Sequence, residues 1–136
     1  MYVYLSSKCS SQYFEDNSSS HFTSLLPQNL ILEGEWEVAL IQFQYPKSDK
    51  NTAVIIQTDV AADIVFENNM LPVIKHVNLS SKGKFQTFNY PYYVTVRRSH
   101  VDKINIHITD LQGKNHSFNN SEPVRCTLHF RKCQPT

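Results

Sequence analysis

The sequence is poor in glycine, cysteine and charge, and each shortage removes a class of function. Only three glycines occur in 136 residues, Gly34, Gly83 and Gly113, and each stands alone. Phosphate-cradling loops need several glycines in one turn that opens a helix, so nucleotide binding is unsupported. The three cysteines, Cys9, Cys126 and Cys133, are odd in number and lack CxxC or other metal-ligand spacing. Neither a disulfide framework nor a zinc site is expected; free thiols in a reducing compartment are the first reading, a Cys126 to Cys133 pairing the second. Apolar runs are a few residues long, such as residues 54–56, far short of the roughly 20 that cross a bilayer. No membrane span is expected. The first residues carry neither a basic n-region nor an apolar h-region, so no signal-peptide route is expected either.

What is present fits a single folded domain. A chain of this length supports one core, and 40% hydrophobic with 12% aromatic residues is enough to build it. Reactive chemistry is hard to find. Six histidines are present, but none accompanies a G-x-S-x-G elbow or similar nucleophile turn. Glu33, Glu35 and Glu37 would lie two apart on one strand face, whereas catalytic carboxylate pairs face each other across a cleft. His107 and His129 fall on polar strand faces and would approach a shared metal if their strands paired; solvated sheet histidines are the plainer reading. Sequons at Asn17, Asn78, Asn115 and Asn119 read as products of an Asn/Ser-rich composition. We therefore expect no enzyme, no cofactor and no metal.

Hydrophobic period predicts strands. Val124, Cys126, Leu128 and Phe130 alternate with Arg125, Thr127, His129 and Arg131, and Ile104, Ile106 and Ile108 alternate in the same way before the turn at Asp110–Gly113. These two strands and the loop between them read as a long-looped hairpin. Tyr92, Val94 and Val96 suggest a third strand that starts after Tyr90-Pro91. Across residues 35–46 a helix is possible, but aromatic and β-branched content favours a strand whose inward parity flips between Leu40 and Ile41, as a β-bulge would produce. Residues 1–5, 22–26, 53–58, 64–66, 71–77 and 85–89 are further short candidates. No segment predicts a helix longer than two turns. The expected fold class is all-β, an antiparallel Greek-key sandwich of the single jelly-roll type spanning residues 1–136.

Net charge is +1, yet residues 1–68 hold three basic against nine acidic side chains and residues 69–136 hold ten against three. Folding either interleaves the halves and cancels the split or leaves a dipole that favours head-to-tail contacts between copies. The basic residues are dispersed apart from Arg97-Arg98 and Arg131-Lys132, and no recognition motif accompanies them, so no specific nucleic-acid partner is expected.

One stretch carries a resemblance. Leu26, Pro27, Leu30, Gly34, Trp36, Glu37, Val38 and Leu40, running on to Tyr45 and Pro46, form an LP-x-x-L-x-L-x-G-x-W-E-V-A-L pattern. It resembles the opening of the minor capsid, penton-type proteins of Polinton (Maverick) elements and related adintovirus-like viruses. The close of the chain, through Tyr92-Tyr93-Val94, residues 104–113 and Leu128-His129-Phe130-Arg131, looks like the same family's ending. The members are longer, with an insertion after Tyr-Pro where this chain has residues 47–52. The resemblance implies a jelly roll that self-assembles at the vertices of an icosahedral capsid inside the host cell. It implies a homo-oligomer, pentamer before trimer, with the major capsid protein as partner and the virion as location.

A vertex protein works by surface fit. Gly34 is expected in a tight turn and Trp36 in the core. Tyr2, Tyr4, Tyr92 and Tyr93 are the interface candidates, because tyrosine is enriched at interfaces and some of these must face outward. The rival reading is a non-viral β-sandwich module that binds carbohydrate or peptide on a platform of Tyr90, Tyr92 and Tyr93.

Overall fold

A computed structural model describes residues 1–119 and 122–134. All regular structure among them is β: β1 (Tyr2–Ser6), β2 (His21–Ile31), β3 (Trp36–Tyr45), β4 (Thr52–Thr58), β5 (Ile64–Phe66), β6 (Asn69–Leu71), β7 (Val73–Leu79), β8 (Lys84–Thr87), β9 (Val94–Thr95), β10 (His100–Thr109) and β11 (Arg125–Lys132). No described helix is long and apolar enough to cross a membrane.

Two antiparallel sheets share one core. The first runs β1-β11-β3-β8, with β9 also on β3, and the second runs β2-β10-β4-β7. Four of the pairings are nested in sequence: β1 with β11, β2 with β10, β3 with β8 and β4 with β7. The contacts β11 to β3 and β10 to β4 then complete each sheet. Alternation decides which side chains go inside: Val38, Leu40, Cys126, Leu128 and Phe130 from the first sheet meet Phe22, Val54, Ile56, Ile104, Ile106 and Ile108 from the second. Each fully buried Phe, Leu or Ile contributes about 1.5–3 kcal/mol relative to exposure. Cys126 belongs to this core, and burial pushes its thiol up to about 12. All three cysteines are free.

The parity flip in β3 is a bulge. Thr127 faces Gln42 and Leu128 faces Leu40, which leaves Ile41 as the extra residue, half-buried, while Val38, Leu40, Phe43 and Tyr45 all point inward. The Ile41 carbonyl accepts from the Phe88 amide between the two short strands β8 and β9. Tyr45 is buried, and its hydroxyl accepts from the Ser80 amide at 3.0 Å and from Gln86 Nε2 at 3.3 Å.

The expected hairpin between the last two strands does not form. β10 lies between β2 and β4, and β11 lies between β1 and β3, in the other sheet. The connection crosses the end of the sandwich: Asp110 Oδ1 accepts from the Gln112 and Lys114 amides, Phe118 plugs the core beside Tyr45, and the Asn119 amide donates to the Lys47 carbonyl. Strand β2 runs well past residue 26 as an edge strand, which is where Pro27 is tolerated. The third expected strand is cut to Val94–Thr95.

The serine-rich segment between β1 and β2 is pinned to the sheets. Asn17 exchanges two 2.9 Å hydrogen bonds with the Thr23 backbone, and Ser10 Oγ accepts from the Leu25 amide. The Asn17 amide of one sequon is thereby spent on structure. The Asn119-Asn120-Ser121 sequon runs outside the described residues.

Candidate functional site

The outward face of the first sheet collects the chemistry that the sequence disperses. Strand alternation turns His129 and Arg131 outward from β11, and the register sets His129 opposite Tyr2 and Arg131 opposite Glu37. The Tyr2 ring stacks on the His129 imidazole with centroids 4.5 Å apart. The Tyr93 hydroxyl lies 2.7 Å from His129 Nδ1, and the Arg131 guanidinium sits 3.5 Å above the Tyr93 ring. Arg131 Nε in turn donates to Glu37 Oε1 at 2.5 Å. The result is one continuous row, Tyr2, His129, Tyr93, Arg131 and Glu37, made of stacking, cation–π and ionic contacts. Burial lowers the His129 pKa, with the Met1 ammonium and Arg131 adding to the effect. The Tyr93 hydroxyl and His129 Nδ1 share one hydrogen bond, in which the tautomer of the imidazole sets which of them donates. The hydrogen bond to Glu37 raises the Arg131 pKa further.

Of the four tyrosines proposed as contacts, three share this face. Tyr2 and Tyr4 are 59% and 75% exposed along β1, and Tyr93 is half-buried in the row. Tyr92 is exposed on a different surface, beside Ile64, Phe66 and Ile74 near the β5–β6 hairpin. Tyr90, Tyr92 and Tyr93 therefore do not make one platform.

The motif residues meet at the centre of the first sheet. Leu40 faces Leu128, Val38 faces Phe130 and Glu37 faces Arg131, so the opening and closing segments of the chain are neighbouring strands. Val38, Leu40, Tyr45, Pro46, Leu128 and Phe130 are buried. Trp36, Leu26 and Leu30 are half-buried against the core, and Trp36 Nε1 donates to the Glu33 carbonyl. Gly34 has φ +87°, the turn conformation glycine permits; Pro27 is exposed.

The other candidates separate. Glu33 and Glu35 precede β3, so only Glu37 is on the strand, and it is committed to Arg131. His107 and His129 belong to different sheets. His107 stacks instead on His21 at 3.9 Å, and its Nε2 lies 2.6 Å from Asn115 Oδ1. Burial and then His107 lower the His21 pKa. No group of three metal-ligating side chains forms among the described residues. The two halves of the chain interleave, with Asp63, Asp59 and Glu37 paired to Arg97, Arg98 and Arg131. Folding thus cancels part of the charge split.

A second feature lies at the end of β3. A cavity of about 410 Å³ is lined by Lys47, Lys82, Lys84, Gln44, Phe85 and Glu122, among others. Its lysines are scattered in sequence, and no local run announces them.

No protein-family model matches the chain, and no curated protein is significantly similar to it.

Proposed function

We propose that this chain is a single jelly-roll virion protein, a minor-capsid, penton-type subunit. It binds copies of itself at the vertices of an icosahedral capsid and contacts the major coat protein. The observation that carries the reading is the nested pairing of eight strands, outermost with outermost and innermost with innermost, four into each of two sheets that share one core, with the short β9 as a fifth strand on the first. That order is what a long hairpin rolled into two Greek keys produces, and such rolls build viral coats. The motif resemblance to Polinton and adintovirus-like proteins supplies the vertex position. Its opening and closing residues, Val38–Leu40 and Leu128–Phe130, are joined as neighbouring strands.

The work of such a subunit is surface fit, and the Tyr2–His129–Tyr93–Arg131 row supplies a rigid, partly apolar patch for it. Tyrosine and arginine are the residues interfaces favour, and here their rotamers are held before any partner arrives. A head-to-tail contact that closes into a ring needs two different surfaces on each copy, of which this row is one. Tyr2→Ala and Tyr93→Ala test the assignment by sedimentation velocity. Each is expected to move the chain from oligomer to monomer while its melting curve stays cooperative. Oligomers unchanged in both variants would remove the row from the interface.

The rival reading, a carbohydrate- or peptide-binding module, loses its platform because Tyr92 and Tyr93 lie on different surfaces.

A further inference from the structure

The lysine-lined cavity at the end of β3 does not belong to the tyrosine row, and its construction is specific. The turn between β7 and β8 is pressed onto the end of β3: a β-carbon at Gly83 would lie 2.9 Å from the Tyr45 carbonyl oxygen. The Ser48 amide donates to the Ser81 carbonyl at 3.0 Å, and the Asn119 amide donates to the Lys47 carbonyl at 2.8 Å. The first of these contacts holds the Lys47 segment beside the turn that carries Lys82, and Lys84 opens β8 on the other side of Gly83. The three lysines line one concavity in which Glu122 is the only acidic lining residue among the described residues. None of the three forms an ion pair among the described residues. Like charges gathered around a hollow raise the local concentration of anions. Arg125, which donates to Gln44 Oε1 at 3.4 Å, extends the positive surface along β11.

The lip of the cavity is aromatic. Phe85 is 56% exposed, lines the cavity together with the lysines and is the register partner of Gln44. An acidic peptide would use the lysines and leave the phenyl face idle. A nucleotide would use both, its phosphate on the ammonium groups and its base on the ring. A duplex hides its base faces in its own stack and offers Phe85 nothing to stack on. We infer that this cavity binds single-stranded nucleic acid without sequence preference, Lys47, Lys82 and Lys84 taking the phosphates and Phe85 a base. The inference goes beyond the assembly reading and does not depend on it.

Fluorescence anisotropy with a labelled oligothymidylate of about 20 nucleotides tests it on the full chain. Three phosphate contacts predict a slope of log affinity against log salt near −2, which is about a 20-fold loss between roughly 50 and 200 mM salt. Lys82→Glu with Lys84→Glu is expected to lower affinity at least about tenfold and to flatten the slope to about −0.7. Phe85→Ala is expected to weaken binding about fivefold or more with the slope unchanged, since stacking is not ionic. All three side chains are at the surface, so the variants should melt with the parent chain. Lys82→Gln with Lys84→Gln serves if the charge reversal does not, with the same flattening of the slope. Absence of binding at low salt would overturn the inference, and so would a duplex bound as tightly as the single strand. Equal competition by polyglutamate, with no effect of Phe85→Ala, would overturn it in favour of an acidic protein partner.

Discussion

The Tyr93 hydroxyl lies 2.7 Å from His129 Nδ1, and the Tyr2 ring stacks on the same imidazole. One histidine of β11 thereby ties the N-terminal edge strand to the segment that follows β8. Burial first, and then the Met1 ammonium and Arg131, disfavour the charged form of His129. The order of the row is coupled to pH.

That coupling has a definite sign. Burial lowers the pKa of His21, His116 and His129 below the ordinary 6.5. As pH falls past that value the unfolded chain takes up protons before the folded one does. Stability from these groups is complete above about pH 6.5 and is lost as pH falls toward their folded values. Thermal unfolding followed by circular dichroism should give a lower Tm at about pH 5.5 than at about pH 7.5. His129→Gln should narrow that difference. An equal or higher Tm in acid would contradict the assignment.

Core and surface aromatics should part sharply in their effect on stability. Phe130 and Phe43 are fully buried at the junction of the two motif strands, and truncation to alanine is expected to cost about 3–5 kcal/mol in urea unfolding. Tyr92 is 68% exposed, and Tyr92→Ala is expected to fall within about 0.5 kcal/mol of the parent. A Tyr92 cost approaching that of Phe130 would mean that the loop after β8 packs more tightly than described.

Gly83 and Gly34 both have positive φ, but their surroundings differ. A β-carbon at Gly83 meets the Tyr45 carbonyl oxygen and the Pro46 backbone at 2.9 Å, whereas at Gly34 it meets only the flexible Lys132 side chain at 3.2 Å. Both alanine substitutions pay the left-handed backbone cost of about 1 kcal/mol, and Gly83→Ala adds displacement of the lysine-bearing turn. Chemical denaturation should rank Gly83→Ala as the more destabilised. The reverse order would place the strain elsewhere.

Several of these features can be read in the chain before folding. The alternation from Val124 to Phe130 gives β11 and its two faces, and the parity change at Ile41 gives the bulge, because a buried sheet face tolerates no other register. The partner of β11 is not legible. Residues 110–123 could fold back or cross over, and the crossing is decided by Phe118, whose burial beside Tyr45 needs the opposite sheet to be in place. Pro27 and Asn29 hide the second half of β2, since their aversion to strands applies to central positions and β2 is an edge. The tyrosine–histidine–arginine row and the lysine cavity are products of register. Tyr2, Tyr93 and Arg131 share no local pattern, nor do Lys47 and Lys84. The outward parity of His129 and Arg131 was the one signal available.

The most direct test of the vertex assignment is the native mass of the purified chain, by light scattering behind size exclusion across a salt series. A closed oligomer is expected, five times 15.7 kDa or about 78 kDa, that dissociates as salt screens the charged contacts. A strict 15.7 kDa monomer at every concentration and salt would contradict self-assembly as the chain's function.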